Sequence, residues 1–150
     1  MGSRFEGTER EVRALSAFIN LTRAANSLAA RHNRRIADAG LTLSQFGVLE
    51  ALLHLGPLPQ KDLGHKLLKT SGNITMVVDN LERNGLVRRK RDGNDRRFIS
   101  IHLTGKGKRL IKRVLPGHVG GIVDDMSLLN ARELDALRHM CRVLGKQEKE

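Results

Sequence analysis

The spacing of apolar side chains changes near residue 86 from that of a helix to that of a strand, which limits the folds open to the chain. Apolar residues recur every three or four positions through residues 71–84, and Gly85 fits a left-handed helix end. Residues 87–91 and 98–103 are predicted to be strands, the second with alternating apolar and polar side chains. The turn-forming segment 92–95, Asp-Gly-Asn-Asp, joins them. A helix is therefore predicted to lead directly into a β-hairpin.

A second short helix is predicted just before this unit. Residues 60–68 form an amphipathic segment, and the break at residues 70–72 supplies a hydroxyl cap for the helix that follows. Another helix begins at Thr42, where Gln45 completes a capping box, and stops before a Gly-Pro turn. Two short helices joined by a tight turn and followed by a hairpin predict a winged helix-turn-helix. The fold class is therefore mainly α with a small β-hairpin wing.

Long helices are predicted at both ends of the chain. Thr8 and Glu11 form a capping box that opens a helix of about 28 residues, ending near Gly40. Its apolar stripe could be a core face or a subunit seam, and its composition favours neither. Another helix is predicted to begin at Thr104, after the hairpin, with a kink or break at residues 116–117. Asn130 with Glu133 caps a last helix, whose expected inward face comprises Leu134, Leu137, Met140, Cys141 and Leu144.

Positive charge is concentrated in one part of the chain. Residues 83–113 contain 12 basic and 2 acidic side chains, a net charge of +10 out of +11 for the whole chain. A solvated basic surface is one interpretation, but crowded like charges repel one another and are typical of a surface that meets phosphates. The hairpin therefore indicates a polyanionic partner. Six of its cations surround one turn: Arg88, Arg89, Lys90, Arg91, Arg96 and Arg97.

The helix at residues 71–84 has a polar face as well as an apolar one. That face could be ordinary solvated surface, but a helix of this width fits the major groove of B-DNA, where such side chains contact base edges and phosphates. The immediately following basic hairpin favours DNA. The polar face comprises Ser71, Asn73, Thr75, Met76, Asp79, Asn80 and Arg83.

Three segments of the chain follow a known pattern in the right order. Residues 95–104 combine Asp-x-Arg with an alternating strand that ends in Leu-Thr, and residues 43–49 and 78–87 supply two more matching stretches. Together they resemble the MarR (multiple antibiotic resistance regulator) family. The resemblance covers residues 8–146, predicted as a single domain. Within it the helix-turn-helix spans about 60–84, the wing about 86–103 and the dimerisation helices about 8–38 and 105–146.

The resemblance implies a homodimer, built from the first and last helices, that binds a palindromic operator, and we interpret the protein as a repressor. By analogy with the family, Arg97 enters the minor groove and Asp95 holds it in place. Many members of the family have arginine at the position of Asn80. The base preference of those members at this position therefore cannot be carried over to this chain. The predicted DNA-binding residues are Ser71, Asn73, Thr75, Met76, Asn80, Arg83, Arg88, Arg91, Asp95, Arg96 and Arg97.

The resemblance also implies a small effector bound between the dimer helices and the DNA-binding lobe. Its expected chemistry is phenolic, quinone-type or another lipophilic anion, with overall similarity favouring the quinone- and phenol-responsive branch. The candidate lining residues are Phe18, His32 and Phe46, although core packing explains the phenylalanines equally well. Release of DNA would require the effector to bind two conformations with different affinities.

Other classes of function find little support in the sequence. There is no phosphate-cradling glycine loop and no paired acid/base constellation, so we expect no enzyme. Six histidines lack ligand spacing, so neither a metal nor a cofactor is predicted. Cys141 lies on an apolar helical face, where a buried, inert thiol is expected and redox sensing is the alternative.

The single cysteine excludes a disulfide framework, and no apolar run approaches the roughly 18–20 residues of a membrane span. These features and the lack of an apolar signal-peptide stretch favour a cytoplasmic protein. Two further functions stay open. One is a sequence-tolerant architectural DNA-binding protein, and the other is a ligand-binding or scaffold protein that kept the fold without DNA function.

Overall fold

The computed structural model describes residues 4–67, 71–91, 93–95 and 97–145. Within them the chain forms six α-helices and three short strands. In chain order these are α1 (Glu9–Ala37), α2 (Leu43–Leu55), β1 (Leu58–Pro59), α3 (Gln60–Lys66), α4 (Ser71–Arg83), β2 (Val87–Arg91), β3 (Ile99–Leu103), α5 (Gly105–Met126) and α6 (Ala131–Gly145). None of the helices in the described ranges is long and apolar enough to cross a bilayer.

Local capping signals define where the helices begin, as predicted. Thr8 and Glu11 form a capping box at the start of α1, and Thr42 with Gln45 forms the same arrangement at α2. The Thr104 side chain caps α5 by accepting a hydrogen bond from the backbone of Gly107. Each cap satisfies backbone N–H groups that have no partner inside the helix.

A small antiparallel sheet follows α4, with the described strands in the order β1-β3-β2. The hairpin of β2 and β3 confirms the prediction, with Val87 paired to Leu103 and Arg91 to Ile99. Gly85 has a positive φ of 71°, which lets the chain turn from α4 into β2. Strand β1, where Leu58 pairs with Ile101, was not predicted, because a strand of two residues, one of them a proline, carries no detectable period.

The hydrophobic core lies between α2, α4, the sheet and the first half of α5. Phe46, Leu49 and Val78 are at most 1% exposed, and each such side chain contributes about 1.5–3 kcal/mol through burial. Helix α1 joins this core only near its carboxyl end. The remaining fully buried side chains are Ile36, Val48, Leu63, Leu81, Val87, Ile101 and Ile111.

The carboxy-terminal helices differ from two expectations in the single chain. At residues 116–117 a kink or break was expected, and no break occurs, because helix α5 is anchored to its neighbours on both sides of Pro116. Helix α6 has no buried residue, and on its predicted inward face Leu134 and Leu137 are half-buried. Met140 and Leu144 are more than half exposed, and the Cys141 thiol is exposed rather than buried. The described residues of one chain therefore leave that face largely uncovered.

Candidate nucleic-acid interface

Helix α4 presents polar side chains to solvent because its apolar side is committed to the core. Ile74, Val78 and Leu81 are at most 2% exposed. On the other side Met76 is 64% exposed, and Asn80 is half-buried. The remaining predicted contacts on this helix, Asn73, Thr75 and Arg83, are also exposed. Ser71 begins the helix, but its side chain lies outside the described part of the structure.

Two of the predicted DNA-binding side chains touch each other on this face. Arg83 Nη1 donates a hydrogen bond of 3.2 Å to Asn80 Oδ1. The contact turns the amide oxygen of Asn80 towards Arg83, so the remaining donors of both side chains are available to acceptors on a partner. This arrangement is suited to the acceptor-rich edges of bases and to phosphates.

The wing holds Arg97 at its exposed end. The Arg97 side chain is 93% exposed, and its Nε lies 3.4 Å from Asp95 Oδ1, which also accepts the backbone N–H of Arg97 at 3.0 Å. Asp95 therefore restrains the Arg97 guanidinium at Nε and leaves Nη1 and Nη2 exposed to solvent. Arg88 and Arg91 are exposed on β2. Arg96 lies outside the described residues.

The electrostatics of the wing are visible in the pKa of a neighbouring histidine. Burial, together with the charges of Lys90 and Arg88, lowers the pKa of His102 below its usual value. The ring is held on β3, with Nε2 2.9 Å from Ser100 Oγ. Because the His102 imidazole is neutral, the positive charge of the hairpin comes from its lysine and arginines.

Arg89 is unlike the other described cations of the wing. Its side chain is only 21% exposed and is turned towards α4, where it pairs with Asp79 and Glu82. From the sequence, Arg89 is one of six cations predicted to meet a polyanion, and Asp79 belongs to the polar face of α4. Two signals could have separated it: the alternation of side chains along β2, and two carboxylates three residues apart on α4.

Comparison with known proteins decides the family. Residues 41–99 match the MarR family. The chain is 36% identical over 138 residues to the HTH-type transcriptional regulator MhqR of Bacillus subtilis, covering 92% of this chain and 95% of that protein. The chain belongs to the MarR family. As a MarR-family member it is a DNA-binding transcriptional regulator with a winged helix-turn-helix fold.

Solved structures share the fold of this MarR-family chain. The MarR family regulator Sco3205 from Streptomyces coelicolor, crystallised in complex with DNA, superposes with a TM-score of 0.87 at 23% identity, covering 99% of this chain and 94% of that one. BpsR of Bordetella bronchiseptica, whose DNA binding is regulated by 6-hydroxynicotinic acid, gives a TM-score of 0.79 at 25% identity. That match covers 87% of this chain and 98% of BpsR.

The predicted effector residues of this MarR-family chain lie in two places. His32 and Phe46 are both buried and both touch His118 on α5, with ring centroids 5.1 Å and 4.3 Å away. Phe18 is 65% exposed and lies 14 residues before His32 on α1, about 21 Å along the helix axis. A single chain therefore joins His32 to Phe46 but not to Phe18.

An ionic cluster beside these rings connects α1 to α5. Asp125 accepts hydrogen bonds from Arg35 Nη1 at 2.8 Å and from Arg31 Nε at 2.9 Å, and its Oδ2 lies 3.4 Å from His32 Nε2. The Arg35 hydrogen bond, assisted by Arg31, lowers the pKa of Asp125 to about 2. Sequence reasoning missed this cluster, although the i, i+4 spacing of two arginines beside a histidine was visible.

The histidine pair adjoins an open cleft. Burial, reinforced by His32, lowers the pKa of His118. Within the described residues, Nδ1 of His32 and Nδ1 of His118 are buried without a hydrogen-bond partner, and such atoms usually mark a place for water or a ligand. The cleft has a volume of about 450 Å³ and is lined by Arg35, Ile36, Asp38, Ala39, Arg113, Val114, Gly117 and His118.

Proposed function

We propose that this MarR-family chain is a ligand-responsive, homodimeric repressor that reads a palindromic operator. The observation that carries the proposal is the exposed polar face of α4 beside Arg97, which Asp95 restrains at the exposed end of a cationic wing. A helix with an exposed polar face fits the major groove, and an exposed arginine on a hairpin reaches the narrower minor groove. We place the protein in the cytoplasm, where a bacterial-type operator is accessible.

The proposed contacts fall into those that recognise base sequence and those that bind the DNA backbone. The α4 side chains face base edges, the wing cations face phosphates, and Arg97 with Asp95 occupies the flanking minor groove. The base-facing set is Ser71, Asn73, Thr75, Met76, Asn80 and Arg83, and the phosphate-facing set is Arg88, Arg91 and Arg96.

A dimer would supply the second half-site. Two recognition helices must lie about 34–36 Å apart to enter successive major grooves. The terminal helices leave apolar side chains exposed that two paired chains would bury, which supports the domain division into a DNA-binding lobe and dimerisation helices. These side chains include Phe18, Leu21, Val119, Ile122, Val123, Met140, Val143 and Leu144.

Selection of bound duplexes from a random oligonucleotide pool tests the repressor proposal. We expect an enriched inverted repeat that the protein prefers over random DNA by about 10³-fold or more at constant salt. Equal affinity for selected and random duplexes would instead identify a sequence-tolerant architectural protein. Absence of any duplex binding would identify a ligand-binding or scaffold protein.

We further propose that the effector is a small aromatic compound with an acidic or quinone oxygen. The cleft beside His118 supports this chemistry, because its volume is in the range of small-molecule sites and it combines apolar walls with the guanidinium group of Arg113. Regulation of BpsR by an aromatic acid points the same way. His32 and Phe46 lie behind the cleft wall, and Phe18 would contribute from the exposed side of α1.

Effector response can be measured as loss of operator affinity in the presence of 6-hydroxynicotinic acid, a hydroquinone or a benzoquinone. Arg113→Gln should weaken the response to the active compound while leaving operator affinity without it intact. An unchanged dose response in Arg113→Gln would place the ligand elsewhere. Cys141→Ser serves as a control for covalent addition of a quinone to the exposed thiol.

A further inference from the structure

We propose that Arg89 is a positioning residue that sets the angle between the wing and the recognition helix α4 without touching DNA. The inference rests on the proposed function, since it assigns a role in operator recognition. It differs from the assignment of the other described wing cations, Arg88, Lys90, Arg91 and Arg97, which face solvent. The contacts of the Arg89 side chain carry it.

Arg89 is bound to α4 from three of its own atoms. Its backbone N–H donates to Glu82 Oε2 at 2.8 Å, and its Nη1 donates to Glu82 Oε1 at 3.1 Å. Its Nη2 lies 2.7 Å from Asp79 Oδ1. One carboxylate thus holds both the strand backbone and the guanidinium, so β2 cannot rotate against α4 without breaking charge-assisted hydrogen bonds.

The same side chain reaches the other helix of the helix-turn-helix. Arg89 Nε donates to Gln60 Oε1 at 3.2 Å, and Gln60 Nε2 donates to Thr75 Oγ1 at 3.0 Å. A single guanidinium therefore connects β2, α3 and α4. A planar guanidinium is suited to this task because its donors point in fixed directions, whereas a lysine ammonium offers one mobile charge.

The network also accounts for the charges beside it. All three nitrogens of the guanidinium have protein partners, and the side chain is only 21% exposed, so Arg89 has little left to offer a phosphate. Asp79 and Glu82 would otherwise place two negative charges next to DNA. Arg88 is the natural contrast, because strand alternation turns it to the opposite, exposed face.

Recognition of an operator requires α4 and the wing to meet the duplex together. If the angle between them changes, contacts with base edges suffer most, whereas phosphate attraction is insensitive to register. A positioning role therefore predicts loss of specific binding with preserved non-specific binding. A phosphate-binding role predicts loss of both.

The test compares Arg89→Gln with Arg88→Gln in the full chain, using the selected operator and a random duplex over a range of salt concentrations. For Arg89→Gln we expect operator affinity to fall about tenfold or more, the scale on which one mismatched base pair acts. Random-DNA affinity should fall much less than operator affinity, because the two carboxylates left without Arg89 repel any duplex alike, and the salt slope should stay at its wild-type value. For Arg88→Gln both affinities should fall, and the salt slope should become shallower by about 0.9 for each phosphate that the protein no longer neutralises.

Two further variants distinguish positioning from a simple effect of charge. Arg89→Lys keeps the charge but cannot make the same set of hydrogen bonds, so its operator affinity should stay well below wild type. The triple variant Asp79→Asn, Glu82→Gln, Arg89→Gln removes the exposed carboxylates, and its operator affinity should also stay low. Full recovery in either variant would overturn the proposal, because charge alone would then suffice.

Unchanged operator affinity in Arg89→Gln, or a reduced salt slope, would also overturn the positioning role. Thermal unfolding of each variant checks the fold, and Arg89→Lys provides the decisive comparison if Arg89→Gln does not fold. If the wild-type protein selects no operator, the proposed function fails before the question of Arg89 arises. The two failures are therefore distinguishable.

Discussion

Single residues of the wing show that formal charge does not identify the cations that meet DNA. Arg97 extends into solvent with one carboxylate at its base, whereas Arg89 directs its donors into the protein. Arg97 lies in the turn before β3, whereas Arg89 lies on β2, where the alternation of side chains turns it to the face opposite Arg88. Exposure and existing partners therefore decide which cations are available to phosphates.

Replacement of Arg97 should weaken DNA binding without unfolding the protein. For Arg97→Ala we expect a loss of about 1–3 kcal/mol of operator binding free energy in each half-site, because the minor groove is left without its arginine. Its side chain is 93% exposed, so the melting temperature should change little. Fluorescence anisotropy with labelled operator measures the effect. Arg132→Ala on α6 is the charge-matched control, and equal affinities in the two variants would contradict the assignment.

Gly107 permits close packing of α5 against the base of the wing. A methyl group at Gly107 would overlap the backbone oxygen of Leu86, which is not free to move. Gly107→Ala should therefore destabilise the fold by about 1–3 kcal/mol in urea unfolding. Gly117→Ala on the same helix meets open space and should raise stability by about 0.5–1 kcal/mol. Similar stabilities of the two variants would show that the close approach relaxes.

Among the secondary-structure elements, α1 and α5 are held together by charge as well as by apolar contact. Asp125 lies among Arg31, Arg35 and His32, at the junction where Phe46 of the DNA-binding lobe touches His118. Any change in the relative position of these helices must rearrange this cluster. Through the ring contacts of His32 and His118, the cluster adjoins Phe46 of α2.

The Asp125 cluster should make stability depend on acid pH. Because its pKa falls from 3.8 to about 2 on folding, the ionised carboxylate stabilises the folded chain above about pH 4. That contribution is lost as the pH falls towards 2. Asp125→Asn should lower the melting temperature at pH 7, and its difference from wild type should shrink between pH 4 and pH 2. Asp124→Asn, the exposed neighbour, should behave like wild type, and parallel curves for all three proteins would refute the prediction.

Across the whole molecule, the positive charge is concentrated in and after the wing, and most of the exposed large apolar side chains lie on the terminal helices. In the described part of one chain, α6 has no buried residue and α1 has two, His32 and Ile36. A helix with one apolar face gains most of its stability by burying that face. The proposed dimer would accomplish this and would also set the spacing of the two recognition helices.

A charge on the uncovered apolar face should disrupt the proposed dimer. We expect Met140→Glu to shift the protein towards monomer in sedimentation equilibrium and to reduce operator affinity, because a paired seam would bury an unpartnered carboxylate. Leu55→Glu is the control, since Leu55 at the end of α2 is 55% exposed and Met140 is 54% exposed. Monomeric wild-type protein at micromolar concentration, or a Met140→Glu dimer of wild-type strength, would contradict the proposed dimer.

Much of the fold was predictable because its signals are local. Capping pairs such as Thr8 with Glu11, the glycine end of α4 and the alternation along β3 each act within a few residues. The same signals located the exposed face of α4 and the turn that carries Arg97. The DNA-binding residues stay a prediction, with geometry that supports them.

The sequence by itself determined the order of the elements, the winged helix-turn-helix and the concentration of charge in the wing. Only the tertiary structure decided the partners of Arg89, the strand β1, the continuity of α5 through Pro116 and the meeting of His32 with His118. These features depend on residues far apart in the chain. Local propensity does not specify them, because each contact stabilises the chain only after folding has brought its two distant partners together.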